Sequence, residues 1–175
     1  LGFESRIDWV IGETSDENEI TIGVESSATV VQPDKAIFIG KNAGSDDNRL
    51  LIGGDLTATT VVIGSPDGNS GNTLEILPYA DVEIGEIRIA PGNQLVVEGN
   101  YADATELLAH LDNPTLSLWN GSSWTPIEAG SLEEQLTFSE GGVRFTPGES
   151  SGEQIVHIPD PVLEAAIRAE LNIPD

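Results

Sequence analysis

Ile37-Phe38-Ile39-Gly40 returns 24 positions later as Val61-Val62-Ile63-Gly64, and Asn48-Arg49-Leu50-Leu51-Ile52 returns at the same interval as Asn72-Thr73-Leu74-Glu75-Ile76. A shorter copy reads Ile87-Arg88-Ile89-Ala90, then Asn93-Gln94-Leu95-Val96-Val97, and an earlier one Trp9-Val10-Ile11-Gly12, then Asn18-Glu19-Ile20-Thr21-Ile22. A fixed period in this range marks stacked repeats, each too small to bury its apolar face alone. Within every copy the apolar residues alternate, and period two fits strands, not helices.

Each complete copy carries three such pairs. Ile37 and Ile39 correspond to Val61 and Ile63 and to Ile87 and Ile89; Leu50 and Ile52 correspond to Ile20 and Ile22, Leu74 and Ile76, and Leu95 and Val97. The third set is Ala28 and Val30, Leu56 and Ala58, then Ala80 and Val82. Three strands per turn imply a coil of roughly triangular section, and the intervening parity (Val10, Phe38, Val62, Arg88) has the mixed chemistry of an outward face. The fold expected is therefore mainly β: a right-handed parallel β-solenoid of about four coils, rising about 4.8 Å per coil. The segment between the glycine and the asparagine changes length from copy to copy while the strands keep their pattern, as a bulging corner would.

Beyond Gly99 the period is lost. Asp103 can cap a short helix to Leu111, with Leu107, Leu108 and Leu111 on one side. Leu116–Trp119 and Trp124–Ile127 flank the turn-favouring Asn120-Gly121, and Leu136–Phe138 and Val143–Phe145 read as a second hairpin. After a polar linker come the strand Ile155–Ile158 and a helix that Asp160 caps and Pro161 opens. Its apolar stripe, Leu163, Ile167 and Leu171, wants a surface to cover. The expected division is 1–100 solenoid, 101–153 capping helix and hairpins, and 154–175 strand and C-terminal docking helix.

Thirty acidic residues against seven basic ones give a formal charge of −23. Such a surface opposes nucleic acid and anionic membrane as partners. No apolar run is long enough to span a bilayer, and without cysteine there is no disulfide or thiolate site. Leu1–Ser5 lacks the basic start and apolar run of a signal peptide, so the chain reads as a processed product or a segment of something longer.

The aligned asparagines Asn18, Asn48, Asn72 and Asn93 read as a structural ladder, each amide bonding its neighbour and the corner backbone. Asp46, Asp47 and Asp67 are the candidates for Ca²⁺, but their spacing fits neither the EF-hand nor the nonapeptide calcium repeat, and solvated loop acids are the plainer reading. A 24-residue register places Asp55 over Tyr79, Thr57 over Asp81 and Glu75 over Leu51, so no outward row collects acids from adjacent coils. His110 and His157 have no nucleophile context. The expectation is no catalytic residue and no cofactor. Trp119 and Trp124 lie across a tight hairpin and are expected to pack on each other or onto the domain; a glycan-binding module would instead line one exposed groove with aromatics.

The 24-residue units over residues 9–98 resemble the loosely repeated β-helical stalks of bacterial autotransporter passengers and other large adhesin-like surface proteins. The tail from Ile158 to Leu171 resembles the helical cap that opens leucine-rich-repeat arrays of internalin-like surface proteins. Both resemblances imply an extracellular or cell-surface location and a structural or adhesive role. With an open core at the solenoid ends and a spare amphipathic helix, self-association head to tail into a filament is the expected assembly, a surface stalk the other form. A module for glycans or calcium is the alternative function.

Overall fold

The structure, a computed structural model, describes residues 2–4, 8–30, 34–132, 135–139 and 141–147. The chain winds as a parallel β-solenoid of about four turns. First-side strands are β2 (Trp9–Ile11), β5 (Ile37–Ile39) and the second halves of β7 (Asp55–Ile63) and β9 (Asp81–Ile89). Second-side strands are β3 (Glu19–Ile22), β6 (Arg49–Ile52), β8 (Thr73–Ile76) and β10 (Gln94–Glu98). The third side holds β1 (Gly2–Glu4), β4 (Ser27–Val30) and the first halves of β7 and β9.

The expected registers hold on two sides. Ile37 pairs with Val61 and Ile39 with Ile63; Leu50 pairs with Leu74 and Ile52 with Ile76, and these in turn with Leu95 and Val97. All ten of these apolar side chains point inward, at 1 % exposure or less. The third side departs from the 24-residue expectation. Leu56 lies against Val82 and Ala58 against Ile84, an interval of 26 residues. Asp55 therefore stacks on Asp81, not Tyr79, and Thr57 on Glu83, not Asp81. An outward row does collect acids from adjacent coils, contrary to the expectation. Glu75 lies against Leu51 as expected.

The corners explain how two sides merge into one long strand. Residues 31–36 separate β4 from β5, whereas Thr59 and Thr60 alone separate the inward Ala58 from the inward Val61. Two successive outward residues break the alternation and turn the chain without ending its ladder. Gly85 holds the equivalent place one coil on, where a Cβ would come within 2.9 Å of the Thr59 carbonyl oxygen.

Two further rungs escaped the sequence pattern. β1 pairs parallel with β4, so Gly2–Glu4 is the third side of a preceding coil. Downstream, helix α1 (Ala104–His110) takes the third side of the last coil, and β11 (Thr115–Trp119) then resumes the first side, with Leu116 against Ile87 and Leu118 against Ile89. Asp103 caps α1 by accepting from Glu106 N at 2.9 Å. Ala104, Leu107 and Leu111 close the apolar core. The expected hairpins form: β11 with β12 (Trp124–Pro126), and β13 (Leu136–Ser139) with β14 (Gly142–Phe145). β14 adds antiparallel to β10, and buried Phe145 joins the solenoid core. The segment after Gly99 thus extends the two sheets of the solenoid. The expected helix carrying Leu163, Ile167 and Leu171 lies outside the described residues.

Candidate functional site

At the corner between the first and second sides, the asparagines form one hydrogen-bonded run. Asn18 Nδ2 donates to Asn48 Oδ1 at 2.7 Å, Asn48 Nδ2 to Asn72 Oδ1 at 2.9 Å, and Asn72 Nδ2 to Asn93 Oδ1 at 2.8 Å. The same oxygens accept the backbone N–H of the preceding asparagine. Asn93 ends the run by donating to the carbonyls of Ala90 and Pro91. Asn48, Asn72 and Asn93 are fully buried, so the run replaces water for groups that must be paired.

The neighbouring acids take part in a second, outer ladder. Asp16 Oδ1 accepts from Asp46 N at 2.9 Å, and Asp46 Oδ1 from Ser70 N at 2.6 Å. Asp46 thereby joins coils and is not merely solvated. Asp47 and Asp67 are exposed. On the second side Arg49 spans three coils, donating to Glu19 at 2.8 Å and to Glu75 at 2.7 Å. The Glu75 hydrogen bond, against the effect of burial, holds the guanidinium above its ordinary pKa.

A depression lies on the outer face of the first side. There the register stacks Val10, Phe38, Val62, Arg88 and Ser117 in one row. A groove of about 480 Å³ runs over Phe38, Val62 and Arg88, flanked by Lys35, Lys41 and Trp124. Val62, outward by parity, is nonetheless 6 % exposed and forms part of this floor. Three of the chain's seven basic residues line the groove, in a molecule of net charge −23.

Each cation has a limited hold. Lys35 Nζ is 3.1 Å from Asp34, whose side chain is 74 % exposed. Lys41 Nζ lies 5.2 Å from the Phe38 ring centroid, and its nearest carboxylate, the exposed Glu13, is 3.9 Å away. Arg88 Nη2 bonds Glu86 at 2.8 Å, while Nε is buried with no partner among the described residues. Burial pushes the Glu86 carboxyl up, but hydrogen bonds from Arg88 and Ser117 outweigh it and hold the group below its ordinary value.

Trp124 is fixed from behind. It pairs with Trp119 across the hairpin and meets it edge-on, ring centroids 5.4 Å apart at 62°. Of the two expected packings, the tryptophans take the one on each other, and Trp124 also lines the groove. A second depression of about 290 Å³ lies between Glu83 and Gly85 on one coil and Asp112 and Asn113 beyond α1, with both carboxylates exposed. His110 packs on Tyr101, ring centroids 5.5 Å apart.

No protein-family model matches the chain, and no curated protein or solved structure is significantly similar to it. The groove went unread in the sequence for a physical reason. Phe38 and Arg88 stood out in the outward row, but Lys35 and Lys41 come from corners, and β11 is what carries Trp124 alongside.

Proposed function

We propose that this chain is a non-catalytic structural and adhesive segment of an extracellular or cell-surface protein, a rigid stalk. The observation that carries the reading is the unbroken run of carboxamides from Asn18 to Asn93, flanked by two continuous sheets. Each coil is tied to the next on every side by bonds that are satisfied only in the stacked state. Such an array resists bending, because tilting one coil costs the neighbouring rungs. The acidic surface keeps parallel stalks apart. The resemblance to autotransporter-like stalks and internalin-like proteins supports the location.

Between the two assembly forms, the far end of the prism supports the stalk. Helix α1 covers the core there, and the edges beyond β10 and β9 are taken up by antiparallel hairpins. A second copy therefore meets no in-register parallel edge at that end. Sedimentation velocity over a wide concentration range in about 0.15 M salt tests this. A single elongated species is expected; polymers that grow with concentration would restore the filament. Release of reducing ends from a polysaccharide incubated with the chain would contradict the non-catalytic part.

A further inference from the structure

Beyond its role as a stalk, we propose that the groove over Phe38, Val62 and Arg88 binds an acidic saccharide, a uronic-acid type. The sugar carboxylate sits between Arg88 and Lys41, and a ring face lies against Trp124.

Charge placement comes first. Lys35, Lys41 and Arg88 gather on one groove although acids outnumber bases thirty to seven over the chain. The carboxylates that now face Lys35 and Lys41 are well exposed, and exposed pairs are weak, so an incoming anion displaces them at little cost. Arg88 spends Nη2 on Glu86 and leaves Nε buried and unpaired among the described residues. The Arg88 side chain is 36 % exposed and lines the groove, so the exposed part of its guanidinium can meet a carboxylate there. A guanidinium fork matches carboxylate geometry in a way an ammonium does not.

The backbone beneath excludes a peptide strand as occupant. β5, β7 and β9 are each paired on both sides, so the groove floor offers no free edge for strand addition. Recognition must run through side chains. A saccharide presents a carboxylate, hydroxyls and an apolar ring face, which correspond to the cations, to Thr60 and Asp8, and to the ring of Trp124 that Trp119 holds in place. Phe38 and Arg88 lie two rungs apart, about 10 Å at normal strand spacing, the length of a short oligosaccharide. Asp8 and Asp34 on the rim oppose a densely charged polyanion, which favours a chain with one carboxylate per ring over a heavily sulfated one.

The test is calorimetric titration of the intact chain with an oligogalacturonate, its carboxyl-reduced neutral counterpart and an oligoglutamate, all in about 0.15 M salt. Saturable binding of the oligogalacturonate is expected, with the neutral sugar and the peptide at least about tenfold weaker. Arg88→Gln and Lys41→Gln should each lower affinity about tenfold, and Trp124→Ala should abolish it, with circular dichroism reporting folded chains. Lys41 is at the surface, so its variant remains informative if Arg88→Gln is unstable. Absence of saturable binding, equal binding of the neutral sugar or the peptide, or affinity unchanged in Lys41→Gln would each overturn the proposal. None of these results bears on the sedimentation test of the stalk.

Discussion

Gly40 and Asn72 claim the same space. The Cβ that Gly40 lacks would overlap the Asn72 carboxamide, and Gly40 sits at φ 71°, where a side chain is strained. Gly12 meets Asn48 and Gly64 meets Asn93 in the same way. The glycine ending each first-side strand is thus the seat of the next coil's asparagine. Ala90 holds the equivalent place in the last coil, where the run ends at Asn93 and no further amide needs the room.

Gly40→Ala should therefore cost at least about 2 kcal/mol, from left-handed strain and displacement of Asn72 together. Ala90→Gly should cost about 1 kcal/mol or less. Urea midpoints measured on both variants check the contrast, and equal losses would contradict it.

Asn72 Oδ1 accepts both the backbone and side-chain N–H of buried Asn48. Replacing Asn72 with Ala leaves those donors short of partners inside the core, a loss of about 2–4 kcal/mol. Asn18→Ala, at the half-exposed start of the run, should cost about 1 kcal/mol. Thermal melts on the pair would show the gradient from edge to centre.

Ile63 is fully buried in the core, and Val62 beside it is 6 % exposed on the groove floor. Ile63→Asp should cost more than about 4 kcal/mol and unfold the chain. Val62→Asp should cost about 2 kcal/mol, since it faces Lys41 and Arg88 across the groove. Circular dichroism separates the outcomes; a folded Ile63→Asp variant would mean the strand parity is reversed.

Acid stability should depend on Arg88. The folded Glu86 carboxyl titrates below its unfolded value, so its contribution is present above the unfolded pKa of about 4.3 and is lost as pH falls through the lower folded value. The pair is partly exposed, which limits the effect to about 1 kcal/mol or less. In Arg88→Gln the folded Glu86 carboxyl should titrate at higher pH and its share of the acid-induced loss should shrink, as a carboxyl NMR titration of Glu86 beside melting curves at pH 2–5 would read.

Calcium should act mainly as a screening ion. Asp16 and Asp46 already use carboxylate oxygens to accept backbone N–H groups. Ca²⁺ and NaCl at matched ionic strength should raise the melting temperature nearly equally. A saturable shift specific to Ca²⁺ would instead assign an ion to the Lys41–Asp47 or Ser65–Gly71 loop.

The inward alternation of Ile37 and Ile39, Leu50 and Ile52, and their copies was enough to read a parallel stack and its corner asparagines. The third side was misregistered because Ala80, Val82 and Ile84 share one parity: a slip of two residues keeps every apolar side chain inward and changes only what stacks on what. β11 was invisible as a rung because α1 replaces a strand before it, which leaves Leu116 at no regular interval from Ile87. The groove depended on that rung, since Trp124 arrives with it.

Amide hydrogen exchange across the stack tests the rigid, laddered stalk most directly. Gly64 N–H, just after β7, is bonded to the Ile39 carbonyl at 2.7 Å; at the start of β8, Asn72 N–H is bonded to Asn93 Oδ1 at 3.1 Å and Thr73 N–H to the Asn48 carbonyl at 2.8 Å. The account expects all three to exchange with one free energy, that of global unfolding. Exchange of Asn72 and Thr73 near the rate of an unstructured peptide, with Gly64 still protected, would show the second side opening apart from the first and would contradict a rigid stalk.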